Sequence, residues 1–565
     1  MNNEAKIAYF SMEIGISYDI PTYSGGLGVL AGDTIKSCAD LKIPLVAVTL
    51  ISKKGYFCQD IDNDGRQIES PIDWDPSSVM MRLSKKVMIH IEGRKVYLQA
   101  WCYKVKSVTG GEIDVLYLDT DVEENSREDR EITHVLYGGD DSYRLKQEMV
   151  LGIGGVRMLR ALGYHIKKYH MNEGHASLLT LELLLRHKRD VESVWHEQWV
   201  WDIDTVRDLC VFTTHTPIEA GHDRFPYELV RKILGDIIPL DELKRLGGEQ
   251  HLNMTLLALN LSRYVNGVAK KHGEVSKNLF PGYEIYAITN GVHSFTWTCS
   301  SFKQLYDKYI PSWANEPELF VRAETIPDSE IWEAHLSAKK DLFDYVNVST
   351  GIELNPDILT IGFARRFTSY KRADLVFSNI ERLLSVCKKG KLQIIYAGKA
   401  HPKDKPGKEI IRKIHEFSKM YNHEITVIFL KDYNVAMALK LISGVDIWLN
   451  TPLRPREASG TSGMKAAHNG VINFSILDGW WIEGHIEGVT GWSIGPKPLE
   501  SSLATINDIS DAEDLYTKLE NIIIPMYYHD KTQWIKIMKN SIGKVAYYFN
   551  SHRMMRRYVT EAYLD

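Results

Sequence analysis

Cysteine is scarce, with six in 565 residues at Cys38, Cys58, Cys102, Cys210, Cys299 and Cys387 and no CxxC pair. So sparse a scatter argues against a disulfide framework or a cysteine zinc site and suits reduced thiols in the cytoplasm. No run of about twenty apolar residues occurs, so no segment reads as a membrane-spanning helix. The opening MNNEAKIAYFSMEIG is too acidic and too weakly apolar for a secretory signal. Net charge is also small: 68 Lys and Arg against 73 Asp and Glu leave −5, no field to draw in nucleic acid or an anionic membrane. An anionic substrate must therefore be held by a local basic cluster. Also lacking are an internal repeat, a low-complexity tract and any linker rich in Pro, Gly or Ser.

What is present is a soluble, globular composition, 44% apolar and 25% charged, in a chain too long for one core. Strand-length apolar runs alternate with helical patterns. In the first half KIAYFS, PLVAVTLI, KKYHMN, LCVFTTH and YEIYAITN read as strands, with a glycine-rich turn, SGGLG, and a helix from Val29 to about Leu41 after the first. In the second half TIGFA, LQIIYAG, ITVIFL, VDIWLN and VINFSI repeat the theme. Such alternation predicts an α/β fold with parallel sheets. Two series predict two Rossmann-like domains facing each other across a cleft, residues 1–295 and 296–532. A terminal helix, 533–565, can cross back to the first domain.

Ligands of open parallel sheets bind beyond the carboxyl ends of the strands, and the informative residues fall there. In SGGLGVLAGDTIK, Gly25 and Gly26 permit close backbone approach, and the amides opening the next helix suit an oxyanion; a plain tight turn reads equally well. In IGFARRFTSYKRADL, Arg365, Arg366, Lys371 and Arg372 crowd the loop after a strand, where four cations could hold a phosphoryl dianion. The alternative is a solvated basic surface. In RPREASGTSGMKAAHNG, Glu457 sits among small residues that let its carboxylate reach sugar hydroxyls, and Ser459, Gly460 and Thr461 add donors. Lys465 follows on the first turns of a helix as a candidate Schiff-base lysine, although by composition alone it reads as an exposed surface lysine. Asn172, His175, His215, Asn290, Trp297 and Tyr433 could line a site, whereas Trp480 and Trp481 read as packing. HMNEGH lacks the HExxH metal spacing, so no metal site is expected.

Together these segments resemble the α-glucan phosphorylases, the glycogen, starch and maltodextrin enzymes, in their compact branch. EASGTSGMK is similar to the family's cofactor segment, ARRFTSYKR to its phosphate segment, VIFLKDYNV to its tyrosine-containing cofactor loop and ITNGVHSFTW to its sugar-contacting loop. GGLGVLAGD and YVNGVAKKHGEVS match in order, so the resemblance runs from about Gly25 to Gly484. It implies pyridoxal 5'-phosphate as a Schiff base on Lys465, with Thr461, Gly463, Tyr433 and Arg365 as further cofactor contacts. It implies Arg366 and Lys371 as ligands of the substrate phosphate and its surroundings. Glu457, Ser459, Gly460 and Asn290 are implied contacts of the glucosyl unit, and Gly25 and Gly26 implied backbone donors near the phosphate.

The resemblance also implies a two-domain GT-B fold and phosphorolysis of α-1,4-glucans from the non-reducing end, giving α-D-glucose 1-phosphate with retention. The partners are then a glucan and inorganic phosphate, with no nucleic acid and no membrane, in a cytoplasmic enzyme; a homodimer is implied by analogy alone. Two rivals remain: a nucleotide-sugar glucan synthase, which shares GGLG and the Arg/Lys pair but needs no such lysine, and a noncatalytic glucan-binding protein.

Overall fold

The computed structural model describes residues 4–190, 200–496 and 508–564. The chain is mixed α/β with parallel sheets and divides into two compact units. One comprises Met1–Phe57, Pro71–Ile288 and Met555–Asp565; the other comprises Cys58–Ser70 and Thr289–Met554.

The first unit is built on β1 (Ile7–Ser11) and β2 (Leu45–Leu50), whose residues are all buried, as expected for strands covered on both faces. The hairpin β3 (Cys58–Ile61) and β4 (Gln67–Ser70) belongs to the other unit. The first sheet continues with β5 (Met81–Ile91), β6 (Arg94–Lys106), β7 (Glu112–Asp119), β8 (Lys168–Asn172) and β9 (Cys210–Thr213). A small antiparallel pair, β10 (Arg224–Pro226) and β11 (His251–Asn253), lies outside it. With β12 (Tyr264–Gly267) and β13 (Tyr286–Ala287) the sheet has nine strands in the order β13-β12-β9-β8-β1-β2-β7-β6-β5. Its pairings are parallel except at one edge, where β6 runs antiparallel to both β7 and β5. The chain leaves β1 towards β2 on one side and later fills β8 on the other, so strand order reverses between β1 and β8.

The second unit has six parallel strands: β14 (Leu359–Ala364), β15 (Leu392–Ala397), β16 (Thr426–Leu430), β17 (Ile447–Asn450), β18 (Ile472–Ile476) and β19 (Gly491–Ile494). Their order is β16-β15-β14-β17-β18-β19. The reversal here lies between β14 and β17. The β3–β4 hairpin packs on this unit through buried glutamines. Gln59 Nε2 donates to the Gly398 carbonyl at 2.9 Å, and Gln67 Nε2 to that of Ala400 at 2.8 Å, both just past β15.

The end of the chain is not the single helix that its pattern predicts. Helical stretches at Lys531–Asn540 and Ser551–Tyr558 are interrupted near Asn550. There the backbone pairs instead with Val292, whose N–H donates to the Phe549 carbonyl at 3.1 Å and whose carbonyl accepts from the Ser551 N–H at 2.8 Å. Within the first unit, the segment Met555–Asp565 buries tyrosines on the sheet. Tyr563 Oη lies 2.6 Å from His170 Nδ1, and Tyr558 Oη bonds Thr213 and Asn266.

Candidate active site

Loops at the carboxyl ends of strands flanking a reversal of strand order splay apart, and open α/β sheets bind ligands in that gap. In the second unit the two loops at the reversal are those after β14 and β17. The first carries Arg365, Arg366 and Lys371, and the second carries Glu457, Ser459, Gly460, Thr461 and, on the helix Ser462–Ala467, Lys465. Residues 86 and 92 positions apart meet because the sheet order brings their strands together.

Glu457 is the hub. Its Oε2 lies 2.7 Å from Arg365 Nη2 and 2.5 Å from Lys371 Nζ, with all three side chains nearly buried. Burial pushes the carboxyl's pKa up, but Arg365 and then Lys371 outweigh it and hold the value down at about 2. Glu457 is therefore an anion that neutralises two cations. Arg365 nevertheless keeps unused capacity: its Nε and Nη1 are buried with no hydrogen-bond partner among the described residues, and Ser459 Oγ is in the same condition. A buried guanidinium with two unused donor positions suits an anion of several oxygens. Arg366, next in sequence, is exposed.

Asp478, just after β18, was not singled out in the sequence. Its Oδ2 accepts from the Glu457 N–H and its Oδ1 from the Gly479 N–H, both at 2.9 Å. Burial raises its pKa to about 7; the Glu457 charge adds to the rise, and the two amides and Lys371 oppose it. Two carboxyl groups linked through one backbone are thus driven to opposite ends of the scale. The same turn supports the glucosyl candidates, because the Trp480 N–H donates to the Ser459 carbonyl at 3.0 Å. Gly460 adopts φ +86°, a left-handed conformation that favours glycine.

Arg372 differs from expectation. It does not join a four-cation cluster but points into the scaffold, where its guanidinium bonds the carbonyls of Thr451 and Pro452 and the carboxylates of Asp508 and Asp511. With φ +46° its backbone turns away from the line set by Lys371.

Lys465 is not the surface lysine its composition suggests. Only 8% of the residue is exposed, and its Nζ lies 4.0 Å from the centre of the Trp297 ring. Its helix is tied to the segment that carries Asn290 and Trp297. His468 Nε2 lies 2.9 Å from Ser294 Oγ, Asn469 Nδ2 donates to the Trp297 carbonyl at 2.7 Å, and the Cys299 N–H donates to Asn469 Oδ1 at 2.8 Å. Gly463 is required by packing, since a Cβ there would come within 2.3 Å of Asn473 Oδ1. Asn290 is buried, and its carbonyl accepts from Arg553. Tyr433 follows β16 and its neighbour Asp432, which has φ +58° and is held by Lys399 at 2.7 Å and by the Gln59 N–H at 3.1 Å. Trp480 and Trp481 are buried against each other and read as core.

The first unit has its own polar cluster at its β1/β8 reversal. Asn172 Nδ2 donates across it to Ser11 Oγ at 3.1 Å, and Asn172 Oδ1 lies 2.6 Å from His215 Nε2. Burial lowers the His215 pKa to about 3, so the ring is neutral and Nε2 carries the proton. Glu173 receives the His215 N–H at 2.7 Å and Thr216 Oγ1 at 2.9 Å. His175 Nε2 lies 3.5 Å from Asp223. At the glycine turn, Gly25 is extended with φ −168°, and a Cβ at Gly25 or Gly26 would meet nothing within 4 Å. Of the two expected donors Gly25 is already engaged, because its N–H and that of Ser24 donate to Glu13 Oε2 at 3.2 and 2.5 Å. Glu13, also bonded by Tyr137 Oη at 3.0 Å, had no sequence signal beyond a lone acid in an apolar run.

A buried lysine and a cation–carboxylate cluster at a strand reversal suit an anionic ligand. Known proteins narrow it further. The family model described as carbohydrate phosphorylase matches residues 240–489. The maltodextrin phosphorylase of Thermococcus litoralis is 42% identical, over 99% of this chain and 70% of that protein. The glycogen phosphorylases of Aquifex aeolicus and Mycobacterium tuberculosis are each 36% identical, over 99% of this chain and 86% and 70% of theirs. The chain belongs to the carbohydrate phosphorylase family.

Proposed function

We propose that this chain is an α-glucan phosphorylase, transferring the terminal glucosyl unit of an α-1,4-glucan to inorganic phosphate and releasing α-D-glucose 1-phosphate with retention. The observation that carries this reading is the Arg365–Glu457–Lys371 cluster, with its unused guanidinium donors, in the two strand-end loops that also hold Lys465. Proposed with it is the two-Rossmann-domain glycosyltransferase arrangement that the resemblance implies.

The residues fit a bound pyridoxal phosphate. A lysine withdrawn from water over an indole ring suits covalent attachment, and the orphaned Arg365 donors suit a phosphate ester. Lys465, Arg365, Thr461, Gly463 and Tyr433 would hold it. When bound, the group supplies a phosphate that serves as acid and base towards the substrate phosphate, the cofactor chemistry implied by the family.

The protein's own task is electrostatic. Bringing a phosphate dianion close to a second phosphate is opposed by their repulsion, and Arg366 with Lys371 offsets it. Glu457, anchored through Oε2, leaves Oε1 to accept from a hydroxyl of the glucosyl unit. Ser459, the Gly460 backbone and Asn290 complete the sugar's contacts. Positive charge developing on the sugar ring is stabilised by the attacking phosphate, so the two free carboxyl groups of an ordinary glycosidase are not needed.

The test is to incubate purified protein with maltoheptaose and phosphate and to follow products by NMR. Phosphate-dependent appearance of α-glucose 1-phosphate, lost in Lys465→Ala, is expected. Release of free glucose without phosphate, or a requirement for a nucleotide sugar, would contradict it.

A further inference from the structure

We propose that Asp511 is a positioning residue for the phosphate-handling loops, an inference that rests on the phosphorolysis reading. Asp511 lies in the helix Asp508–Lys518, far in sequence from β14 and β17, and its side chain is fully buried. Its Oδ2 lies 2.8 Å from Arg372 Nη2, and its Oδ1 2.7 Å from Arg454 Nη2. Arg372 adjoins Lys371, and Arg454 precedes Glu457 by three residues. One carboxylate therefore grips both loops that meet at the Lys371–Glu457 pair.

The bracing around this grip is dense. Arg372 Nε donates to the Thr451 carbonyl at 3.0 Å, and its Nη2 to that of Pro452 at 3.1 Å. Thr451 Oγ1 returns hydrogen bonds to the carbonyls of Lys371 and Arg372, and the Leu453 N–H donates to the Tyr370 carbonyl at 2.7 Å. Arg372 sits at φ +46°, a conformation that non-glycine residues keep only when their surroundings impose it. Gly495 closes the pocket: a Cβ there would stand 2.1 Å from Asp511 Oδ1. Without the carboxylate the link between Arg372 and Arg454 is lost, Arg372 is left to the largely exposed Asp508, and the turn that aims Lys371 would relax. A displacement of about 1 Å in a group that orients a reactant is enough to cost about a hundredfold in rate.

Asp511→Asn keeps the shape and removes the charge; Asp511→Glu keeps the charge and lengthens the reach. In phosphorolysis by folded enzyme, Asp511→Asn is expected to raise KM for phosphate by about ten-fold or more and, because Arg454 lies on the loop that carries Glu457, KM for maltodextrin to a smaller extent. Asp511→Glu should fall between it and the parent. A purely structural role would lower the folded fraction and leave both KM values alone. Should the Asn variant fail to fold, the Glu variant is read by the same criterion. Parent-like constants in the folded variant, beside an active parent, overturn the positioning role. A parent without phosphorolysis overturns the functional reading itself, and the inference falls with it.

Discussion

Two carboxyl groups joined through one peptide unit carry the clearest electrostatic signature of the site. Glu457 has its folded pKa held near 2, below the ordinary 4.5, so its contribution to stability is complete above about 4.5 and is lost as pH falls towards 2. Asp478 is displaced the other way, from 3.8 to about 7. A raised folded pKa means a contribution that is complete below about 4 and is lost as pH rises through about 7. Asp478→Asn should therefore flatten the decline in melting temperature between about pH 4 and pH 7 relative to the parent; parallel curves would count against a perturbed Asp478. At this scale the sequence was partly legible. Glu457 and Arg365 stood out because small residues or neighbouring cations framed them, whereas Lys465, by composition alone a surface lysine, was marked by the family resemblance of its segment. Arg372 did not declare its inward turn, because a left-handed residue and its distant acidic partner leave no local pattern. Asp478 and Glu13 were invisible for the same reason, since their partners are backbone amides in loops that only the fold brings near.

The strands were legible because a buried parallel strand is a short, continuous apolar run, and β14 to β18 are such runs. The antiparallel edge β5–β6 was not, since its long, half-exposed strands mix charged and apolar residues. Nor was the β3–β4 hairpin's place, which rests on two buried glutamines reaching carbonyls past β15. The loop after β17 depends on one glycine for its course. Gly460→Ala would force a side chain into φ +86°, with its Cβ 3.4 Å from the Glu457 side chain. The expected cost is about 1–2 kcal/mol of loop strain, seen as weaker glucan binding with little change in the melting temperature. Unchanged KM for maltodextrin would remove Gly460 from the sugar contacts.

Over the whole molecule, each unit places its polar cluster at a reversal of strand order, β1/β8 in one and β14/β17 in the other. The α/β alternation foretold the parallel sheets, but not the interruption near Asn550, where the helix gives up its own hydrogen bonds to pair with Val292. Among the described residues no helix is long and apolar enough to cross a membrane. The central proposal is that the buried Lys465 carries the cofactor. Borohydride reduction of the purified protein followed by peptide mapping tests it most directly. The expected result is a single phosphopyridoxyl label on the peptide containing Lys465, absent from Lys465→Ala. A label on another lysine, or an active enzyme with no label, would contradict it.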